Sequence, residues 1–263
     1  MTDTDYAMAY KLTRAGQHLK TLHRIVKRFL NSNANSIIND AESAPGYLVV
    51  KVVSRRSPPR SLSGLIGEIL YHQRASLDYM ACDLARYNKQ PVDDTEFPIF
   101  KERDRFRNPV SGNLMPAVKK RMGRLRPDHQ AVIEDEQPFQ GRHGQPEDDP
   151  LWLLYGLSNF DRHQFLHLTS IITNASFHSF TPAETSTRFE QVSVSYGAFE
   201  SQAEVARFRI LGSSEFDVHV QSDVRFDVAF SDEGPGAGRP VIKTLADIHI
   251  RVVEIMQRIS LLV

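Results

Sequence analysis

Apolar residues recur along the first part of the chain at alternating steps of three and four, the spacing that puts side chains on one face of an α-helix. This spacing predicts a helix over residues 5–31, whose apolar face consists of Met8, Leu12, Ala15, Leu19, Leu22, Val26 and Phe29. It predicts a longer helix from about Ser61 to Asn88, with an apolar stripe of Leu62, Leu65, Ile66, Ile69, Leu70, Leu77, Met80 and Leu84. The valine-rich segment 46–54 between the two helices is typical of a strand.

A third helix is predicted from its start signal. Asp149 is a favoured N-cap residue and Pro150 a favoured first helical residue, so the pair marks a helix beginning after the loop at 141–149. The apolar run "PLWLLYGL" follows, and it leads into the polar stretch "SNFDRHQFLHL" at 158–168 near the end of this helix.

From about residue 168 the pattern changes to strict alternation, which predicts antiparallel strands with one buried face. Val192, Val194 and Tyr196 share one side of such a strand. A longer alternating set consists of Phe216, Val218, Val220, Val224, Phe226, Val228 and Phe230. Thr244 and Asp247 then resemble a capping box, which predicts a final helix with the apolar face Leu245, Ile248, Val252, Ile255 and Ile259.

These elements predict an α+β fold, in which a helical N-terminal two thirds packs with an antiparallel β-sheet and a C-terminal helix. We divide the chain into a mainly helical part, 1–167, with one strand near 46–54, and a part at 168–263 that holds the sheet and the closing helix. If the early strand joins the later sheet, the two parts form one compact domain, and we expect this arrangement.

Composition limits the classes of partner. Lysine plus arginine equals aspartate plus glutamate, 32 each, so no global charge draws the protein to nucleic acid. The basic stretch 101–126 nevertheless leaves nucleic acid open as a partner. The first ten residues lack the pattern of a signal peptide and no apolar run is long enough for a membrane span, which predicts a cytoplasmic protein without a membrane partner. A homodimer is left open.

The polar stretch at 158–168 raises the question of chemistry, because charged groups beside apolar runs are costly to bury unless they are paired. It contains Asp161, Arg162 and His163, and we expect these to face Arg74 and Asp78 of the long helix at a helix–helix contact. Arg74 and Asp78 are four residues apart and can pair across one helical turn. The candidate catalytic residues are therefore Arg74, Asp78, Asp161 and His163.

Several segments in fixed order resemble an uncharacterised family of bacterial and phage proteins. They cover roughly residues 45–170 and read "LSGLIGEILYHQRASLDYMACDLA", "TEFPIF", "IEDEQPFQ" and "DPLWLLYGLSNFDRHQF". The resemblance places the family's arginine and aspartate on Arg74 and Asp78, and its Asp-Lys-His-Arg on residues 161–164. The family brings no reaction that could be carried over to this chain.

We expect no metal and no cofactor. Asp161, His163 and His167 have the spacing of one or two metal ligands, and Asp78 or His72 could supply a further donor. However, Tyr71 stands where the family has a histidine, and no cysteine cluster exists, because Cys82 is the only cysteine. A lone cysteine also excludes an intramolecular disulfide, and we interpret Cys82 as a packing residue.

A second resemblance concerns Arg162 and His167. The string "RHQFLH" is similar to the Arg-x4–6-His motif of the higher-eukaryote and prokaryote nucleotide-binding (HEPN) ribonucleases, which implies metal-free RNA cleavage in a dimer groove. A strand beginning at Leu168 argues against this, because it would aim the two side chains apart.

Three hypotheses of function follow. We favour a non-catalytic protein, in which the Arg/Asp/His cluster between two helices is structural. The alternatives are a hydrolase with a pocket at that cluster, and a HEPN-like ribonuclease that uses Arg162 and His167.

Overall fold

The computed structural model describes residues 3–40, 46–180, 188–199, 201–211, 219–231 and 234–261. Its α-helices in these ranges are α1 (Asp3–Leu30), α2 (Ser61–Tyr87), α3 (Arg103–Phe106), α4 (Pro116–Met122), α5 (Pro127–Asp135), α6 (Pro150–His163) and α7 (Val241–Ser260). The strands are β1 (Asn35–Asp40), β2 (Tyr47–Ser54), β3 (Leu168–Phe180), β4 (Arg188–Val194), β5 (Gly197–Phe199), β6 (Gln202–Leu211) and β7 (His219–Phe230). The predicted α+β fold is confirmed.

The long helices form because each presents one continuous apolar face. The start and end of α1 and α2 lie within two residues of the predicted ones. Helix α2 lies at the centre and packs against α1, α6 and α7. Leu22, Ile66, Leu77, Leu154 and Ile255 belong to the core at this contact and have no exposed surface. Burial of this apolar core is the main driving force for folding.

The strands form two antiparallel sheets, with the orders β1-β2-β6-β4 and β5-β3-β7. Strand β2, predicted at 46–54, pairs with β6 from the C-terminal part, so that Leu48 lies opposite Phe208. The two sheets touch where the rings of Phe177 and Phe208 lie 5.4 Å apart. The early strand thus joins a later sheet as predicted, while the assignment of one or two domains stays a prediction.

Two details of the predicted elements are wrong. Helix α7 begins at Val241, so Thr244 is inside it and donates a hydrogen bond to the carbonyl of Pro240. Asp247 pairs with Lys243 and does not cap the helix. A capping box fails here because three more residues of the turn before Thr244 adopt helical geometry.

Strand β4 buries only part of the predicted face: Val194 packs against the sheet core, and the strand ends there, before Tyr196. Val192 is 50% exposed and Tyr196 is 59% exposed. The strand is at the edge of its sheet, and its pairing with β6 slips between Gln191 and Ser193. Val192 is the residue left unpaired at this slip, so its side chain is not held on the core face, whereas Val194 after the slip lies opposite Ala206.

On β7 the predicted face is at least partly buried from Val224 to Phe230, and Val228 and Phe230 are buried. The alternation is lost at the end of the strand, where Ala229 is buried as well. The positions Phe216 and Val218 lie outside the described residues, as does the side chain of Val220. None of the helices that the structure describes is both long and apolar enough to cross a membrane.

Candidate functional site

Arg74 and Asp78 form the predicted ion pair one turn apart on α2. The Nε atom of Arg74 donates to Oδ2 of Asp78 at 3.2 Å, and its Nη2 atom lies 3.1 Å from Oδ1. Their side chains are 13% and 28% exposed, so the pair is largely screened from water. Burial raises the pKa of Asp78, and the Arg74 guanidinium acts against that rise.

The pair also binds a distant backbone segment. The backbone N–H of Phe97 donates to Oδ1 of Asp78 at 3.0 Å, and Nη2 of Arg74 donates to the Phe97 carbonyl at 2.7 Å. The Phe97 side chain has no exposed surface. A buried backbone group needs a hydrogen-bond partner. Here the ion pair makes the hydrogen bonds that a neighbouring strand would make in a sheet.

Gln137 completes the same arrangement on the other side of the segment. Its Oε1 atom accepts from the Phe100 N–H at 3.0 Å, and its Nε2 atom donates to the carbonyls of Pro98 and Ile133 at 2.9 and 3.0 Å. Gln137 is 2% exposed. The segment 97–100, predicted as a short extended piece, is therefore held by three side chains. We call Arg74, Asp78 and Gln137 the segment lock.

A cavity of about 160 Å³ opens between α2 and α6 beside the lock. Arg74 and Asp78 line it from α2, and Ser158, Asn159 and Arg162 line it from α6. These α6 positions lie on one side of the helix because they are one, three and four residues apart. Arg162 is thus brought to Arg74 and Asp78, as the sequence predicts.

The outer wall of this cavity comes from the chain between α2 and α6. Glu96 and Arg121 form an ion pair of 3.2 Å there, with side chains 51% and 36% exposed. Neither residue was singled out from the sequence as a site residue. No signal could have identified them, because they lie in short, aperiodic segments.

Asp161 and His163 do not line the cavity that contains Arg74 and Asp78. Asp161 lies against Gly67, where a Cβ atom would overlap its carboxylate, and His163 is exposed at the last residue of α6. Each residue of a helix is turned by about 100° from the one before. With Arg162 facing the cavity, its two neighbours turn away from it.

Arg162 and His167 also lie apart. The helix ends at His163, and Gln164 is already extended, with φ −144° and ψ 151°. His167 lines a different cavity of about 830 Å³, together with Ser57, Ser170 and Ser231. The predicted strand from Leu168 is present as β3, so the two side chains of the HEPN-like pattern do not share a cavity.

The remaining candidate residues lie in surroundings that favour neither metal binding nor nucleophilic catalysis. Within the described ranges, no three His, Cys, Asp or Glu side chains come close enough to hold a metal ion. Cys82 is half-buried, and its thiol donates to the carbonyl of Thr95 at 3.5 Å. Burial raises the pKa of this thiol, which disfavours the nucleophilic thiolate.

A second buried ion pair joins the end of α5 to α7. Nη1 of Arg251 lies 2.7 Å from Oε2 of Glu136, and Nη2 donates to the Glu136 carbonyl at 3.0 Å. The two side chains are 6% and 3% exposed. Arg258 binds the same carboxylate and that of Asp135. Sequence reasoning missed this network, because its members are more than a hundred residues apart.

No protein-family model, curated protein or solved structure matches this chain. The resemblance to the bacterial and phage family therefore stays a prediction, and the site has to be interpreted from its own geometry.

The contact between α2 and α6 at Gly67 gives a matched pair of variants. A Cβ at Gly67 would overlap Asp161, whereas one at Gly64 would meet no described atom within 4 Å. We expect Gly64→Ala to stabilise the protein by up to about 1 kcal/mol, because alanine is the better helix former. Gly67→Ala should lose that gain or destabilise, as measured by urea unfolding. A gain at Gly67 equal to that at Gly64 would contradict the close contact.

The surroundings of Asp161 predict a pH effect. Burial raises the pKa of its carboxyl, and the described residues offer it no cation or hydrogen-bond donor. Its ionisation therefore lowers stability as pH rises from about 4, the unfolded value, through the raised folded value. We expect Asp161→Asn to raise the melting temperature at pH 7 and to have little effect below pH 4. The exposed control Asp93→Asn should leave the melting temperature unchanged at both pH values. An equal shift of the melting temperature at both pH values in Asp161→Asn would contradict a raised pKa at Asp161.

Proposed function

We propose that the Arg74–Asp78 pair is a structural lock and that the protein is not an enzyme at this cluster. The observation that carries the proposal is that both carboxylate oxygens of Asp78 are already engaged. Oδ1 accepts from Phe97 and lies against Arg74, and Oδ2 accepts from Arg74. A general base needs a lone pair that can reach a substrate proton, and the hydrogen bonds to Arg74 and to the Phe97 N–H leave Asp78 fewer lone pairs for that role.

The hydrolase alternative finds less support. Its proposed partners Asp161 and His163 are turned away from the cavity that Arg74 and Asp78 line. The cavity of about 160 Å³ is also smaller than the roughly 300–1,000 Å³ of ordinary small-molecule sites. The ribonuclease alternative needs Arg162 and His167 in one groove, and they line separate cavities.

The lock supplies hydrogen-bond partners for the backbone of residues 95–100. Residues 95–100 belong to no strand, yet Phe97 and Ile99 are buried against the helical core. Side chains from α2 and from the turn after α5 satisfy the backbone, so the segment stays closed over the core. We infer that the protein acts by binding or by assembly, and that the cluster maintains the surface required for it.

The test compares two arginines of the same helix. Arg74 pairs with Asp78 and is largely buried, whereas Arg86 pairs with Asp83 and is 50% exposed. We expect Arg74→Ala to lower the free energy of unfolding by about 3 kcal/mol, since it leaves a carboxylate and a carbonyl without their donor. Arg86→Ala should change it by less than about 1 kcal/mol.

Urea unfolding at neutral pH measures both values. Polar residues of active sites often reduce stability, so replacing them commonly leaves the fold as stable or more stable. An Arg74→Ala or Asp78→Asn variant as stable as the wild type would therefore overturn the lock and favour the hydrolase.

A further inference from the structure

The cavity beside the lock contains polar groups that the lock does not use. Nη1 of Arg74 is buried and has no hydrogen-bond partner among the described residues. The Oγ atom of Ser158 is in the same state, and Ser158 is only 8% exposed. Both residues line the cavity. Buried donors are nearly always paired with protein, ordered water or a bound ligand, so both groups are available to donate to a species bound in this cavity.

The charges around the cavity are unbalanced. Three arginines and two carboxylates line it. Asp78 is engaged by Arg74, and Glu96 by Arg121. Arg162 is exposed at the rim, and no described carboxylate forms an ion pair with it. The cavity therefore has one positive charge in excess, and two of its lining residues, Arg74 and Ser158, each have a buried polar atom without a partner among the described residues.

We propose that this cavity binds a phosphate-sized oxyanion between Arg74, Arg162 and Ser158. Guanidinium groups match the spacing of phosphate oxygens and form strong charge-assisted hydrogen bonds with them. A volume of about 160 Å³ accommodates one phosphoryl group, free or at the end of a small molecule, but not a nucleotide. The negative charge of Glu96 at the rim is paired with Arg121, so Glu96 does not have to move for the oxyanion to bind. This site does not depend on whether the lock is purely structural.

The first experiment uses the full chain and isothermal titration calorimetry. The probes are inorganic phosphate, glycerol phosphate and acetate, at equal ionic strength set with chloride. We expect saturable binding of inorganic phosphate at one site and at least about tenfold weaker binding of acetate. If glycerol phosphate binds as tightly as inorganic phosphate, the source is a phosphomonoester, and if it binds more weakly, the source is the free ion. Absence of saturable phosphate and glycerol phosphate binding overturns the proposal.

Variants then locate the site. Ser158→Ala removes a hydroxyl that has no partner, so the ligand-free protein should be as stable as the wild type or more stable, while phosphate binds about tenfold more weakly. Arg162→Gln should weaken phosphate binding by at least as much. Arg105→Gln, whose side chain is 75% exposed, removes the same charge elsewhere and should leave binding unchanged. Equal affinity in the Ser158, Arg162 and Arg105 variants would mean adventitious binding and would overturn the proposal.

Discussion

Replacing Arg251 with methionine should lower the free energy of unfolding by about 3–5 kcal/mol, one of the two largest effects that we expect in this protein. The variant leaves the Glu136 carboxylate, which is 3% exposed, without its most buried cation. Removing one partner of a buried ion pair has a cost of that size, because the remaining charge is far from water. Urea unfolding at neutral pH provides the measurement.

Glu254 offers the matched control for this variant. It lies 3.9 Å from the same Arg251, but its side chain is 52% exposed. We expect Glu254→Gln to change stability by less than about 1 kcal/mol. A loss below about 1 kcal/mol in Arg251→Met would show that Arg258 alone holds Glu136, and that Arg251 does not connect α7 to the end of α5.

The second large effect is expected for Gln137→Leu. Leucine has a similar size but removes the groups that bind Phe100, Pro98 and Ile133. Each buried backbone group left without a partner costs about 1–3 kcal/mol, so a loss of about 3 kcal/mol or more is expected. Gln130→Leu is the control, because Gln130 is less buried and its side chain makes one hydrogen bond, to the Leu125 carbonyl. Equal losses in both variants would contradict the special role of Gln137.

The parts of the fold that the sequence could predict are those with regular periodicity. The stripes on α1 and α2 predict both helices, and the four-residue spacing of Arg74 and Asp78 predicts their pairing. The change of period near residue 168 locates the start of β3, so His167 next to it is predicted to lie apart from Arg162 on α6.

The contacts of the lock could not be predicted in the same way. Asp78 accepts a hydrogen bond from the Phe97 N–H, 19 residues later. Every residue except proline has the same backbone N–H group, so no sequence pattern indicates which one Asp78 binds. Gln137 and Glu136 meet their partners only after the segments between the helices have folded back against the helices, and a sequence pattern does not show how they do so. The orientation of Asp161 could have been predicted from the sequence, however, because neighbouring residues of a helix are turned by about 100° and Asp161 therefore points away from the direction of Arg162.

Hydrogen exchange of residues 95–100, compared between the wild type and Asp78→Asn under conditions where both are folded, tests the structural lock most directly. The account predicts that the Phe97 and Phe100 amides exchange slowly in the wild type, because both are hydrogen-bonded to side chains. In Asp78→Asn this segment should exchange at least about tenfold faster, while the core amides of α1 change less. Slow exchange that persists unchanged in Asp78→Asn, or fast exchange already in the wild type, would contradict a lock at Asp78.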